Sequence, residues 1–192
     1  EKCVCSWYTE ENTEVIITGS NSKMLSGDLS TLLAGRYIEI RVHPLTYPEF
    51  LIFHNLQDSD ESLMRYLNYG GLPGLRQIGL ESDEYIWAYL SSVSNTIMLK
   101  DIIERHDIRN VPFLNNLLAF YADTTGKLTS ANSIAKYMKS QGESISSNLI
   151  LLYRSFYEES YMLNVVPRYD IHGKKLLESN EKIYWDDLGL RN

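Results

Sequence analysis

The sequence contains no long apolar segment, and this excludes membrane-spanning proteins. Its longest apolar runs are short pieces such as Val15-Ile16-Ile17 and residues 149–152, whereas a membrane-spanning helix needs about 20 apolar residues in succession. The start of the chain also lacks the apolar stretch of a signal peptide. We therefore expect a soluble, cytoplasmic protein. Because the first residue is Glu1 rather than Met, we also expect the chain to begin inside a longer protein.

Cysteine is scarce, and histidine shows no ligand spacing. Cys3 and Cys5 are the only cysteines, and no second Cys pair or nearby His completes a zinc site. The four histidines are scattered along the chain at His43, His54, His106 and His172. We therefore expect no metal site, and we interpret the cysteines as thiols in a reducing compartment.

An excess of positive charge is also missing. The chain has 18 Lys+Arg against 25 Asp+Glu, a net charge of −7, which argues against a surface that grips nucleic acid throughout, because phosphate binding requires clustered Lys and Arg. The charge is −7 up to Lys127 and zero from Leu128 onward. Any contact with nucleic acid should therefore come from the last third.

The pattern of apolar residues predicts a mainly helical chain with a small α/β portion. Residues 14–18 and 37–42 are short, β-branched stretches on either side of a helical pattern, so we expect two parallel strands connected by a helix. After Pro44 the strand signals disappear. Helical spacing then predicts helices over residues 48–54, 62–69, 83–106 and 113–122.

The last third of the chain predicts a helix-turn-helix followed by a hairpin. Residues 130–141 form one helical pattern, Gly142 lies in the turn, and Ser146 caps a second helix. Residues 163–169 and 176–185 then read as the two strands of a hairpin. Two helices joined by a short turn and followed by a hairpin are typical of a winged helix.

Several short motifs, spread over nearly the whole chain, carry a resemblance to one known family. They are Val15-Ile16-Ile17-Thr18-Gly19-Ser20-Asn21, Leu33-Ala34-Gly35-Arg36, Gly70-Gly71-Leu72-Pro73, Leu99-Lys100-Asp101-Ile102, Val166-Pro167-Arg168-Tyr169-Asp170 and Asp187-Leu188-Gly189-Leu190. Together they resemble the AAA-type (AAA+) ATPases of the bacterial and archaeal group that carries a winged helix and a further C-terminal domain. The resemblance implies that residues 1–45 end the ATPase core, 46–110 form a helical lid, 111–185 form a winged-helix domain, and 186–192 begin a domain resembling the PD-(D/E)XK nuclease fold.

The resemblance also implies roles for individual residues. Ser20 and Asn21 match the sensor strand, whose polar residue orients the attacking water or contacts the γ-phosphate; the alternative is that they only cap the next helix. Arg36 matches an arginine finger that acts on a neighbouring subunit of a homo-oligomer, or it is an ordinary surface arginine. Gly71 and Pro73 match the lid loop that packs on the nucleotide base, or they only end a helix.

The sequence lacks the residues that hold ATP. No Gly-x-x-x-x-Gly-Lys-Ser/Thr motif occurs, and no apolar strand ends in the Asp-Glu pair that would hold Mg²⁺. The resemblance implies ATP and Mg²⁺ as cofactors of the full-length protein. We expect this chain alone to bind neither and to be inactive.

The predicted winged helix has candidate contacts to nucleic acid. Base readout would use Ser147, Asn148 and Arg154, and phosphate contacts would use Arg168, Lys174 and Lys175. Glu158 and Glu159 on the same helix oppose a DNA backbone, and winged helices also bind proteins. The partner is therefore DNA or a protein, and the alternative function is a free-standing winged-helix DNA-binding transcriptional regulator.

A carboxylate cluster near the end of the chain suggests a second enzyme class. Glu178, Glu181, Asp186 and Asp187 could indicate a metal-dependent nuclease. Their spacing fits surface positions of the predicted hairpin better, and no Lys completes a nuclease motif. We expect no nuclease activity from this chain.

Overall fold

The structure is a computed structural model that describes residues 6–7, 12–22, 36–167 and 180–192. It confirms a mainly helical chain with a small sheet. In chain order the elements are α1 (Tyr47–His54), α2 (Asp60–Tyr69), α3 (Leu75–Ile78), α4 (Asp83–Thr96), a π-helical segment (Ile97–Glu104), α5 (Val111–Asp123), β1 (Leu128–Thr129), α6 (Ala131–Ser140), α7 (Ser147–Glu159), β2 (Leu163–Val166), β3 (Glu181–Trp185) and α8 (Leu188–Arg191). None of the helices in these ranges is long and apolar enough to cross a membrane.

Side-chain caps explain where several helices begin. Ser146 accepts a hydrogen bond from the amide of Leu149 at 3.2 Å, which confirms the cap predicted for this helix. Ser59, Asn110 and Ser130 cap α2, α5 and α6 in the same way. Such caps satisfy amide groups that the first turn of a helix leaves without a partner, so these starts are encoded locally.

The sheet has three antiparallel strands in the order β1-β3-β2. Ile183 of β3 pairs with Val165 of β2, and Glu181 pairs with Thr129 of β1. Ile183 is 2% exposed, whereas its neighbours Lys182 and Tyr184 are exposed. One face of the sheet therefore covers a core, and the other faces solvent.

Apolar residues form two cores. The first consists of Tyr69, Leu75, Ile86 and Leu90, with Leu190 of α8 packed against it. The second is larger and gathers side chains from the π-helical segment, from α5 to α7 and from the sheet; its fully buried members include Ile102, Leu114, Leu117, Ile150 and Tyr157. The last residues of the chain thus return to the first core. The proposal that residues 186–192 begin a further domain stays a prediction.

The two parallel strands predicted near the start of the chain are wrong. Residues 14–18 and 37–42 carry no strand. Val15 and Ile17 are half-buried, whereas Ile16, Ile38, Ile40 and Val42 are between 78% and 89% exposed. In the part of the chain that the structure describes, no other strand pairs with them. An isolated strand leaves its backbone N–H and C=O groups without partners, so residue preference alone does not make one.

Two further predictions need correction. The helix expected over residues 83–106 is present over that whole range, but it is π-helical from Ile97 to Glu104, a difference that a helical spacing of apolar residues does not resolve. The first hairpin strand ends at Val166, since Pro167 lies outside it, and strand β3 begins at Glu181, with Asn180 outside it; the predicted bounds at residues 168–169 and 176–179 lie outside the described residues. Strand β1 was not predicted, since two residues are too short for a periodic signal.

Leu117 and Leu152 offer a matched test of the second core. Leu117 on α5 is fully buried, and Leu152 on α7 is 48% exposed. We expect Leu117→Ala to lower the free energy of unfolding by about 2–5 kcal/mol, because it removes buried methyl groups and leaves a cavity. Leu152→Ala, on another helix, should stay within about 0.5 kcal/mol. Urea denaturation measures both, and equal losses would contradict this assignment of the core.

Candidate functional site

Ser20, one of the two expected sensor residues, contacts the π-helical segment. The Ser20 hydroxyl donates a hydrogen bond to Asp101 Oδ1 at 3.1 Å. Asp101 is 9% exposed and lies 3.7 Å from the guanidinium of Arg105. Asn21 is 4% exposed, whereas Ser20 itself is exposed. Ser20 is therefore an exposed residue whose hydroxyl donates to a carboxylate from a distant part of the chain.

A second polar cluster joins the segment after Arg36 to the end of the sheet. Arg41 donates to Asn164 Oδ1 at 2.8 Å and to Asp186 Oδ1 at 3.3 Å, and its guanidinium lies 4.7 Å from the centre of the Tyr161 ring. His43 Nδ1 is 2.9 Å from the same Asp186 oxygen. Sequence reasoning missed this cluster, because the residues lie more than 100 positions apart and form no motif.

The other residues expected at the nucleotide site are less closely connected. Arg36 is exposed, Gly71 is buried and Pro73 is exposed. No hydrogen bond or ion pair within the described ranges joins Ser20, Arg36 and Gly71 to one another. Their roles in nucleotide binding or hydrolysis stay predictions.

The glycine loop between α2 and α3 is occupied by other parts of the same chain. The Gly71 amide donates to Asp187 Oδ2 at 2.7 Å. A Cβ at Gly71 would overlap the backbone of Leu45, and one at Gly70, whose φ is +76°, would overlap the Asp187 carboxylate and the Gly189 amide. These glycines allow a close approach between backbones. This packing favours the interpretation that the loop ends a helix and binds no ligand.

Asp187 is the buried centre of this contact. It is 4% exposed, caps α8 by accepting from the Leu190 amide at 3.0 Å, and accepts from Gly71 across 116 residues of sequence. Burial raises the pKa of the Asp187 carboxyl, while the hydrogen bonds from the amides of Gly71, Leu190 and Gly189 partly oppose the rise. Desolvation disfavours the charged form, and the amide donors favour it.

The expected nucleic-acid contacts on α7 are only partly available. Arg154 pairs with Glu181 and lies 3.7 Å from Glu158, and its side chain is only 18% exposed. Asn148 is exposed and Ser147 is half-buried. Leu151 and Leu152 are 40% and 48% exposed, so the accessible part of this helix includes two large apolar side chains. Arg168, Lys174 and Lys175 lie outside the described residues.

The carboxylates that suggested a nuclease are engaged separately. Glu181 pairs with Arg154, Asp186 faces Arg41 and His43, and Asp187 accepts from backbone amides. Glu178 is not among the residues that the structure describes. Within the described ranges, no group of three or more His, Cys, Asp or Glu could hold a metal ion.

Comparison with known proteins divides the chain into two parts. Residues 60–192 match the family model described as "Domain of unknown function (DUF8612)", and residues 1–51 match the model described as "AAA domain". No solved structure matches the chain.

Two curated relatives are longer than this chain. An uncharacterized protein of Haemophilus influenzae is 34% identical over the whole chain, which covers 48% of that protein. An uncharacterized protein of Methanocaldococcus jannaschii is 32% identical over 64% of the chain, which covers 31% of that protein. The chain therefore spans about half or less of the relatives it matches.

Asp187→Asn tests the buried carboxyl through the pH dependence of stability. Because the pKa of Asp187 is raised in the folded state, the folded protein binds this proton more tightly than the unfolded chain. Its contribution to stability should therefore fall as the pH rises from about 4, the ordinary value for Asp, through the raised pKa. The unfolding free energy of the wild type minus that of Asp187→Asn should decrease over this range in denaturant titrations.

The control is Leu117→Ala, in which no carboxyl changes. Its difference from the wild type should show no comparable trend with pH. A wild-type minus Asp187→Asn difference that stays constant or increases with pH would contradict the raised pKa of the Asp187 carboxyl.

Proposed function

Since the chain belongs to the family described as "Domain of unknown function (DUF8612)" and begins with a match to an AAA domain, we propose that it is part of an AAA-type ATPase. In this proposal residues 1–45 end the ATPase core, residues 46–110 form the lid, and residues 111–185 form a winged helix. The AAA match over residues 1–51 is the observation that carries the proposal.

Exposed apolar side chains near the start of the chain support this assignment. Ile16, Ile38, Ile40 and Val42 are each at least 78% exposed, although β-branched residues are typical of buried strands. Neighbouring elements in another part of a longer protein would cover such side chains. The lengths of the two relatives are consistent with such a protein.

The chain supplies only some of the groups that an ATPase needs. Arg36 offers a guanidinium, which suits the charge that develops on the terminal phosphate, and Ser20 offers a hydroxyl oxygen, which suits the attacking water. The sequence has no phosphate loop and no Asp-Glu pair for Mg²⁺. In the proposal, ATP and Mg²⁺ are therefore held by another part of the full-length protein, and Arg36 acts across the interface of a homo-oligomer.

The order of elements supports a winged helix in the C-terminal unit. Helix α5, strand β1, helices α6 and α7, and strands β2 and β3 follow one another, and the sheet order is β1-β3-β2. A helix-turn-helix followed by an antiparallel hairpin, with a short first strand completing the sheet, fits this topology. Helix α7 then occupies the position of a recognition helix.

We favour a protein over DNA as the partner of this unit. Arg154, the basic residue expected on α7, is paired with Glu181 and faces Glu158. Leu151 and Leu152 are exposed instead. Phosphate binding requires available cations, whereas apolar side chains are common in protein interfaces. DNA binding, by this unit or by a free-standing regulator, remains the alternative that the second experiment below addresses.

Arg36→Ala in the full-length protein tests the ATPase assignment. A finger acts on charge that develops in the transition state, so kcat should fall by about 10³-fold or more while ATP affinity changes little. Steady-state hydrolysis and nucleotide titration measure the two quantities. Arg36→Lys, which keeps the charge but loses the planar fork, should recover little activity. Equal losses of kcat and affinity would remove Arg36 from this role.

The double variant Lys174→Ala/Lys175→Ala distinguishes DNA from protein as the partner. If duplex DNA binds here, its affinity should fall steeply with salt, and the salt slope should shrink by about one for each lysine removed. Our proposal expects no measurable duplex binding at low salt. Fluorescence anisotropy across a salt series, with wild type and variant side by side, decides between them. Salt-sensitive binding that weakens in the variant would overturn the preference for a protein partner.

A further inference from the structure

We propose that Asp101 is a positioning residue for ATP hydrolysis: it accepts a hydrogen bond from the Ser20 hydroxyl and thereby leaves Ser20 Oγ as an acceptor for the attacking water. This inference rests on the proposed function, because it assumes that Ser20 is the sensor. It assigns Asp101 a role that the sequence motif Leu99-Lys100-Asp101-Ile102 does not reveal by itself.

The geometry of the pair is asymmetric. Asp101 is 9% exposed, whereas Ser20 is exposed. The two side chains are joined by a hydrogen bond of 3.1 Å between Ser20 Oγ and Asp101 Oδ1. A carboxylate accepts hydrogen bonds but does not donate them, so the hydroxyl proton must point toward Asp101. Arg105, 3.7 Å from the same oxygen, keeps a positive charge beside the carboxylate.

The direction of this hydrogen bond decides between two sensor roles. A serine hydroxyl has one proton to donate and two lone pairs that accept. With its proton directed to Asp101, Ser20 has none left to donate to a γ-phosphate oxygen, which can only accept. Ser20 Oγ can accept a hydrogen bond from a water molecule. This hydrogen bond turns a lone pair of the water oxygen toward the γ-phosphorus. The contact therefore favours water orientation over phosphate binding.

In the resulting step, the water oxygen bonds to the γ-phosphorus while the bond from that phosphorus to the β–γ bridging oxygen breaks. ADP leaves with the bridging oxygen. Both water protons go to the inorganic phosphate, which then exchanges them with solvent. Ser20 and Asp101 keep their own protonation states throughout, because they orient the water and do not take its proton.

The position of Asp101 connects this site to the second core. Met98 and Ile102 lie in the same π-helical segment as Asp101, and both belong to that core. Segments of π-helix occur often at functional sites, where they change the direction in which side chains point. Asp101 therefore connects Ser20 to the segment that packs against α6 and α7 in that core.

The experiment uses the full-length protein with Ser20→Ala, Asp101→Ala, Asp101→Asn and the double variant Ser20→Ala/Asp101→Ala. We expect Asp101→Ala to lower kcat about tenfold and to leave KM for ATP nearly unchanged, because misplacing the water affects the chemical step. Asp101→Asn keeps an oxygen that can accept from Ser20 and should retain more activity. The double variant should be no slower than the slower single variant, since both act through one contact.

Glu104→Ala is the matched control. Glu104 is an exposed carboxylate in the same π-helical segment, and its removal should leave kcat unchanged. Circular dichroism and thermal unfolding of each variant show whether it is folded. If Asp101→Ala is not folded, Asp101→Asn takes its place in the kinetic comparison.

The outcomes separate the two proposals. A full-length protein that hydrolyses no ATP would overturn the proposed function and this inference with it. Hydrolysis that is unaffected by Asp101→Ala, or losses of the two single variants that multiply in the double variant, would overturn only the role of Asp101. An equal effect of Asp101→Ala on kcat and on ATP affinity would do the same, because it would indicate a structural role.

Discussion

The buried carboxylate of Asp187 is the contact on which the arrangement of the helical part depends. It accepts the amide of Gly71 in the loop between α2 and α3, and it caps α8 at the end of the chain. Leu190 then packs on the core formed by Tyr69, Leu75, Ile86 and Leu90. A buried carboxylate is costly unless its oxygens find donors, so this contact requires close backbone approach. A Cβ at Gly70 or at Gly189 would overlap neighbouring atoms, so the absence of a side chain at both positions allows this approach.

Polar contacts of this kind connect the start of the chain to its end. Ser20 bonds to Asp101, and Arg41 and His43 face Asp186, so the segment matching an AAA domain touches both the π-helical segment and the sheet. Gly71 and Asp187 connect the loop of the helical part to the residues that follow β3. Because Asp101, Asp186 and Asp187 take part in these contacts, their carboxylates are less available to an external ligand.

Local features account for the parts of the fold that could be predicted. The helices α1, α2, α5, α6 and α7 follow from apolar spacing, and Ser146 caps α7 as expected. Caps and helical faces depend on residues within one or two turns, so they can be recognised without knowledge of the rest. The prediction of strands at residues 14–18 and 37–42 was wrong because strand formation does not depend on local residues alone. A strand needs a neighbour, and the described part of the chain has none for these residues.

The sequence by itself determined the mainly helical composition, the helix boundaries within a few residues, and the motifs that resemble an AAA-type ATPase. Only the tertiary structure decided which side chains those motifs meet. Asp101 is 81 residues from Ser20, and Asp187 is 116 residues from Gly71. Arg154 looks free in the sequence but is paired with Glu181 across 27 residues. Hydrogen bonds and ion pairs of this length depend on how the chain folds back on itself, and no local pattern of residues records that path.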